Sequence, residues 1–532
     1  MFSGIRAGAS EYRSNQWLAI GVNGISLIVV AVHDWQNAIV LTVMAAIVAG
    51  STRQLCGVTA VLLFTVSFPP FSWPTSWFCL GPMVWLWRDH GVKHSRFRVG
   101  VEAIAIGFAM GWISTGFIRA GLPAFAELVH AAASLVFSLK FLAVAVAIRL
   151  LKNQPVVVAA VTTAGVAVVG EILEAWCGVS WSVSNFALTV AATPLAQWSR
   201  WLTPFGVAGL LYFINFLLIL NRSPSFVRKS IGPIVAAGVL SVAWFGGILI
   251  AANTPVASLP FSAMLVQPHL KFSENEPWQP WLDLNELTKE SLLQKPDVDL
   301  IVWPESCLSE SQSENPAPVN NNMAIQLTVQ DFSKLLTPVY HTNSLVGVVV
   351  NELGTTQRYG LEVIEVRRFN SGCLVSKSGE ICRHDKLDLV PFKEGLPGLL
   401  NTKWIRDRIL PGLKFQRQLA YGRTYAPALF RDSEGKQHSI AVAVCYESLL
   451  PWLPQYRESP TVDAIIHLVY DGNTADHPGM IQRQIHACQL RAIETRKWNL
   501  VCSTWAGTAI IDPKGKIVRQ LPTVAGVLRT DM

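Results

Sequence analysis

The chain has 532 residues, 51% of them hydrophobic and 15% charged, with a formal net charge of +7 and a mean hydropathy of +0.35. A soluble protein carries about 25% charged residues, so wholly disordered, collagen-like and small disulfide-framework architectures are excluded. The charge is unevenly spread: residues 1–252 hold 15 Lys/Arg against 7 Asp/Glu, and residues 253–532 hold 28 against 29. A positive excess inside an apolar region points to membrane orientation rather than nucleic-acid binding, because membrane loops sort cations by side. Two domains are expected: a polytopic membrane domain over 1–258 and an extramembrane domain over 259–532.

Nine apolar stretches occur in the first domain, at residues 17–32, 37–50, 55–68, 75–87, 101–118, 132–151, 155–175, 203–220 and 231–251. Several fall short of the ~20 residues of a perpendicular span, so a buried or re-entrant segment remains an alternative for those. With the N-terminus in the cytoplasm, nine crossings put 12 Lys/Arg on the cytoplasmic side and 2 opposite. That bias obeys the positive-inside rule, and it delivers residues 259–532 to the extracytoplasmic side. No secretory signal is expected, because the first stretch runs into another apolar one without a small-residue cleavage site. Tryptophans such as Trp73, Trp77, Trp85 and Trp87 lie near predicted helix ends, where an indole anchors in the headgroup zone. Lys140, Glu171 and Glu174 are expensive in a bilayer and should face a partner or cavity, or in the two glutamates' case a helix end. The long outer loop 176–202 is either re-entrant or a plain external loop.

From Phe261 onward, short apolar runs alternate with polar helical stretches: "FSAMLVQ", "VDLIVWPES", "NSLVGVVVNE", "SIAVAVCYES", "DAIIHLVYD", "WNLVCSTWAG" and "AIIDPKG". Such runs suit strands covered on both faces. Residues 280–294, 322–336 and 479–497 read as helices, which makes the domain layered α/β. Three run ends carry reactive groups: Glu305 in "WPES", Lys386 and Glu394 in "RHDKLDLVPFKE", and Cys445 in "VCYES". Strand ends are where α/β proteins build their sites. A thiol, a carboxylate and an ammonium together can do acyl chemistry: the carboxylate takes and returns the thiol proton, and the ammonium stabilises an oxyanion.

In this order the segments resemble the nitrilase, or carbon-nitrogen hydrolase, superfamily. "FPPFSWP" at residues 68–74, the carboxylate at Glu171 and the "LVPF.E" form narrow the resemblance to the apolipoprotein N-acyltransferase family. The resemblance implies an αββα sandwich on a multi-span helical membrane bundle, set in a bacterial inner membrane with the catalytic domain on its periplasmic side. It implies transfer of an acyl chain from a membrane phospholipid, through a Cys445 thioester, to the amine of a diacylglyceryl-cysteine lipoprotein. Glu305 would be the base, Lys386 the oxyanion holder and Glu394 its orienting partner. Tyr446, Glu447 and Phe272, the last standing where relatives have a Trp, would line the substrate site. No metal, organic cofactor or nucleic acid is implied, and a monomer is expected.

The chain departs from the family in several places. "YDGNTA" at residues 470–475 lacks the aromatics of the usual Asn-Asp-Ala-Trp-Phe run, and "STWAG" at 503–507 replaces a Ser-Thr-Asn-Asn-Gly type turn. Two additional N-terminal spans are expected ahead of the family's usual set, and no final span is evident before Met532. A membrane amidase, or an acyltransferase for another amine, keeps the same triad; a transporter or scaffold with an inert domain is the non-enzyme alternative. Nine cysteines leave room for one free nucleophile. Cys373 and Cys382, symmetric about Lys377-Ser378 in an expected hairpin, could form a cross-strand disulfide or stay free. His467, His477 and His486 are expected to be structural or exposed rather than catalytic.

Overall fold

The computed structural model describes residues 52–531 apart from 69–75, 88–95, 119–125, 179–183, 221–225, 271–278, 309–340, 397–418 and a few shorter loop positions. The chain divides into two compact units, with the break between Ala252 and Asn253.

The first unit contains α1 (Thr52–Thr65), α2 (Gly81–Trp85), α3 (Arg96–Ser114), α4 (Ala126–Leu150), α5 (Val156–Cys177), α6 (Ser199–Leu220) and α7 (Phe226–Asn253). Among the described residues, five helices are long and apolar enough to cross a membrane: α3, α4, α5, α6 and α7. The stretch 55–68 forms the 14-residue α1, about 21 Å at 1.5 Å per residue, which is shorter than a ~30 Å hydrocarbon core. Among the described residues of the stretch 75–87, the five-residue α2 is the only α-helix. Stretches 17–32 and 37–50 lie outside the described residues. Trp77 and Trp87 are buried inside the unit rather than displayed at a bilayer surface. The cause is a polar tether: Asn215 of α6 donates to the Ser76 carbonyl at 2.8 Å and accepts from the Leu80 amide at 3.1 Å. Among the described residues, Trp176 and Trp201, at helix ends, are the exposed indoles.

The intramembrane charges meet one another. Lys140 Nζ lies 3.2 Å from Glu174 and 3.8 Å from Glu171, all three buried. Glu171 also accepts from the Tyr212 hydroxyl at 2.6 Å and from the Phe186 amide at 3.1 Å. Phe186 opens a 3₁₀ turn, Phe186–Val190, and its ring packs on Phe64 and Tyr212 at 5.8 and 5.0 Å. A charge in a bilayer persists where a partner satisfies it. Here the ion pair also fastens the 186–198 segment into the helix bundle, so that segment is not a plain external loop.

The second unit is β1 (Ala263–Gln267), α8 (Gln279–Gln294), β2 (Leu300–Leu308), β3 (Asn343–Arg358), β4 (Leu361–Val375), β5 (Ile381–Asp385), β6 (Ala428–Arg431), β7 (Gln437–Val444), β8 (Ala464–Val469), α9 (Pro478–Thr495), β9 (Trp498–Ser503), β10 (Ala509–Ile511), β11 (Ile517–Gln520) and β12 (Gly526–Arg529). Two six-stranded sheets result, ordered β12-β1-β2-β3-β4-β5 and β11-β10-β9-β8-β7-β6. Alternate residues explain the apolar runs. Leu300 and Val302 of β2 join Val442, Val444, Ile466 and Leu468 in the core between the sheets. Ile301 and Trp303 face outward against Leu284 of α8. Ile481 and Ile485 of α9 cover the outer face of the other sheet. Helix, sheet, sheet and helix thus stack as the expected αββα sandwich, with parallel pairing β1–β2–β3 and β7–β8–β9.

The β4–β5 hairpin settles the cysteine pair. Its turn is three residues, with Gly379 at φ +85° and Ser376 bonded to Glu380. Cys382 therefore faces Leu374, and Cys373 faces Arg383. A one-residue slip from a two-residue turn sends paired side chains to opposite faces. Cys382 packs toward the inter-sheet core and Cys373 toward the α8 layer. Both thiols are free, so the disulfide does not form. Residues 322–336 lie outside the described residues.

Gly347 of β3 sits under the β2 segment that bears Glu305. A Cβ there would stand 2.3 Å from the Pro304 oxygen and 2.5 Å from the Glu305 Cα. Gly347→Ala should cost about 1–3 kcal/mol as an overpacking change, measured as a lowered melting temperature of the full chain in detergent. Gly165→Ala on α5, where nothing lies within 4 Å, should leave that temperature unchanged or higher.

Candidate active site

Four strand ends converge. β2 pairs with β3 as far as Trp303, and the register then shifts before Leu308. Within that break Ser306 takes φ +53°, a left-handed conformation uncommon outside glycine. Cys445 follows β7 with φ +49°, and Phe392, in the segment after Lys386, has φ +64°. Strained non-glycine residues of this kind gather at functional sites because surrounding contacts must hold them.

Lys386 is fully buried, and its Nζ lies 2.9 Å from Glu394 Oε2, 3.0 Å from Glu394 Oε1 and 3.5 Å from Glu305 Oε1. Burial works against its charge, but the carboxylates of Glu394 and Glu305 hold the ammonium above the ordinary lysine value. Burial likewise opposes ionisation of Glu394, yet Lys386 and the Val390 amide keep that carboxyl below its ordinary value. Asn370 of β4, which sequence reasoning missed, donates through its side-chain amide to Glu305 at 2.6 Å and to Glu394 at 3.3 Å, while its backbone carbonyl accepts the Lys386 amide at 2.8 Å.

Cys445 is partly exposed, and its Sγ donates to the Tyr470 carbonyl at 3.9 Å. The amide of the same Tyr470 donates to Glu305 Oε2 at 2.7 Å. Thiol and carboxylate are thus brought to the two sides of one residue. Burial pushes the Cys445 thiol well up, Glu305 adds to that, and Lys386 pulls it back. A thiol held in its protonated form needs a base at the moment of attack. The Cys445 carbonyl takes hydrogen bonds from Gln484 of α9 at 2.8 Å and from Ser448 at 2.9 Å, both missed from sequence.

Glu447 is wholly buried and joins two segments. It accepts from Val444 N at 2.7 Å and Leu387 N at 2.7 Å, and lies 3.3 Å from His384 Nε2. That geometry positions the Cys445 turn against the Lys386 loop. Tyr446 is buried too. Phe272 lies outside the described residues. His467 is buried and bonded to Asn499 at 2.7 Å, with burial lowering its pKa to about 4; it is a neutral core residue. No His/Cys/Asp/Glu group able to hold a metal occurs among the described residues.

The family profile described as "Carbon-nitrogen hydrolase" matches residues 263–532, so the chain belongs to the carbon-nitrogen hydrolase family. A second profile, "Apolipoprotein N-acyltransferase N-terminal domain", matches residues 60–217, and with it the apolipoprotein N-acyltransferase branch is the one the chain falls in. The chain is 24% identical over 501 residues to the apolipoprotein N-acyltransferase of Photobacterium profundum, covering 88% of this chain and 87% of that one. It is 28% identical over 338 residues to that of Agrobacterium fabrum, covering 59% and 56%, and 25% identical over 332 residues to that of Pseudomonas putida, covering 60% and 57%. The matched segment thus spans little more than half the length of the latter two relatives. Among solved structures, Nit3 of Saccharomyces cerevisiae, a member of branch 10 of the nitrilase superfamily, is similar at 16% identity with a TM-score of 0.34, over 51% of this chain and 88% of that one.

Lys386→Met should strand two buried carboxylates and cost about 3–5 kcal/mol. Glu394 contributes stability above the ordinary carboxylate range while Lys386 is present, and that contribution fades as pH falls through its lowered value. Without the ammonium the sign reverses. The melting temperature of the variant should rise as pH drops from about 8 toward about 5, because one carboxylate can then take a proton; a falling one contradicts the pairing.

Proposed function

We propose that the site transfers an acyl chain from a membrane phospholipid to the N-terminal amine of a diacylglyceryl-cysteine lipoprotein, through a thioester on Cys445. The observation that carries the reading is the shared Tyr470 contact, which sets the Cys445 thiol beside Glu305 while Lys386 stands at the same carboxylate.

Glu305 takes the Sγ proton as sulfur attacks the ester carbonyl carbon. The resulting oxyanion is stabilised by the Lys386 ammonium, which is already paired and so needs no reorganisation. Collapse breaks the C–O bond, and Glu305 returns the proton to the leaving glycerol oxygen, releasing a lysophospholipid. The neutral amine of the acceptor then attacks the thioester carbonyl, passing a proton to Glu305. Collapse breaks the C–S bond and the sulfur recovers that proton, leaving an N-acyl product and a free thiol. Thiolate acyl transfer of this kind uses side chains alone. Glu394 and Asn370 orient Lys386 and Glu305; Tyr446 and Phe272 are proposed to line the substrate path. The apolar helices of the first unit supply a lipid setting in which both substrates reside, and the second unit is proposed to lie on the extracytoplasmic side. The catalytic unit is proposed to act as a monomer.

Incubated with phospholipid vesicles and a diacylglyceryl-cysteine peptide, the full chain should N-acylate the peptide. Cys445→Ala should abolish transfer, and Glu305→Gln should lower it by about 10²–10⁴-fold. Transfer surviving in Cys445→Ala removes the thioester from the reaction.

A further inference from the structure

We infer that Thr504, together with Asp471, is a positioning residue that aims Glu305 and Cys445 by holding the two consecutive peptide planes on either side of Tyr470. The inference rests on the acyl-transfer reading for the identity of the reacting pair.

The first plane joins Val469 to Tyr470. Its carbonyl accepts the Thr504 amide at 3.1 Å, and its N–H is the one that donates to Glu305 Oε2 at 2.7 Å. The second plane joins Tyr470 to Asp471. Its N–H donates to Thr504 Oγ1 at 3.2 Å, and its carbonyl is the one that accepts the Cys445 thiol at 3.9 Å. In a planar trans peptide the C=O and N–H point to opposite sides, so fixing one edge aims the other. Thr504 grips the outer edge of both planes, and both inner edges meet the reacting groups.

The grip is itself held. The Thr504 hydroxyl donates to Asp471 Oδ1 at 3.1 Å, so its rotor is fixed with a lone pair toward the Asp471 amide. The Asp471 carboxylate also accepts the Trp505 amide at 2.7 Å and the Ala506 amide at 3.0 Å. From the β1 side, the Leu270 amide donates to the Thr504 carbonyl at 3.1 Å. Thr504 and Asp471 are both buried, so water does not substitute readily for these bonds. Neither residue contacts the thiol or the Glu305 carboxylate through its side chain; their action passes through the backbone of Tyr470.

The test is the rate of Cys445 alkylation by iodoacetamide in the full chain in detergent, read by the mass of the Cys445 peptide across a pH series, beside steady-state acyl transfer. Thr504→Val keeps the side-chain shape and removes the hydroxyl. It should alkylate and turn over about tenfold more slowly or worse, with kcat lowered and KM nearly unchanged, and Thr504→Ser should restore both. Asp471→Asn gives a second reading should the valine variant fail to fold, and it too should slow alkylation. Wild-type alkylation rates in Thr504→Val or Asp471→Asn, or a serine variant as slow as the valine one, overturn the inference. Alkylation needs no phospholipid, so a failure of phospholipid turnover with the alkylation pattern intact counts against the proposed substrate and not against the positioning frame.

Discussion

A single ammonium, buried between two carboxylates, is the interaction on which the arrangement at these strand ends depends. Lys386 has no exposed surface, and an unpaired charge at that depth costs several kcal/mol. Glu394 and Glu305 must therefore close on it, one on its own loop and one on β2. Asn370 then spans both carboxylates, so the distance between β2 and the Lys386 loop is set from β4 as well. The same charge keeps the neighbouring thiol from being raised further by its surroundings. A carboxylate pair, an ammonium and a thiol are thus held in one cluster, and in such a low-dielectric setting an ammonium stabilises a nearby negative charge more strongly than in water.

The reactive ends were legible because each breaks an apolar run with a group that a buried strand has no packing reason to carry. Glu305, Lys386 and Cys445 stand at such breaks, and the structure brings them to one cluster. The alternating sides of β1 and β2 explain why continuous apolar runs rightly signalled a two-faced sheet. Asn370 was hidden because it follows Arg367 and Arg368 in a strand whose charged residues look solvent-facing. Gln484, Thr504 and Asp471 were hidden for a different reason: their partners lie across the fold, and no spacing along the chain encodes those contacts. Glu447 was visible as a carboxylate beside the cysteine, but only tertiary contacts reveal that it ties the Cys445 turn to the Lys386 loop.

Register and burial account for the readings that changed. One additional turn residue at Gly379 moves Cys382 from opposite Cys373 to opposite Leu374, and of the two alternatives for this pair the free thiols are the one found. In the membrane unit, hydropathy marks apolar segments without distinguishing a span from a segment buried within a bundle. The Asn215 tether makes that distinction for the region around Trp77. Lys140, Glu171 and Glu174 answer the same physical demand as Lys386: charges withdrawn from water are kept where they meet one another.

The most direct measurement of the central claim is a chemical trap for the covalent intermediate. Full-length protein is mixed with phospholipid alone, quenched in acid and digested, and the Cys445 peptide is weighed. An added fatty acyl mass on that peptide, cleaved by neutral hydroxylamine as a thioester and discharged by a diacylglyceryl-cysteine peptide, is the result the account predicts. An acyl group found on another side chain, or lipoprotein acylation proceeding with Cys445 never modified, contradicts it.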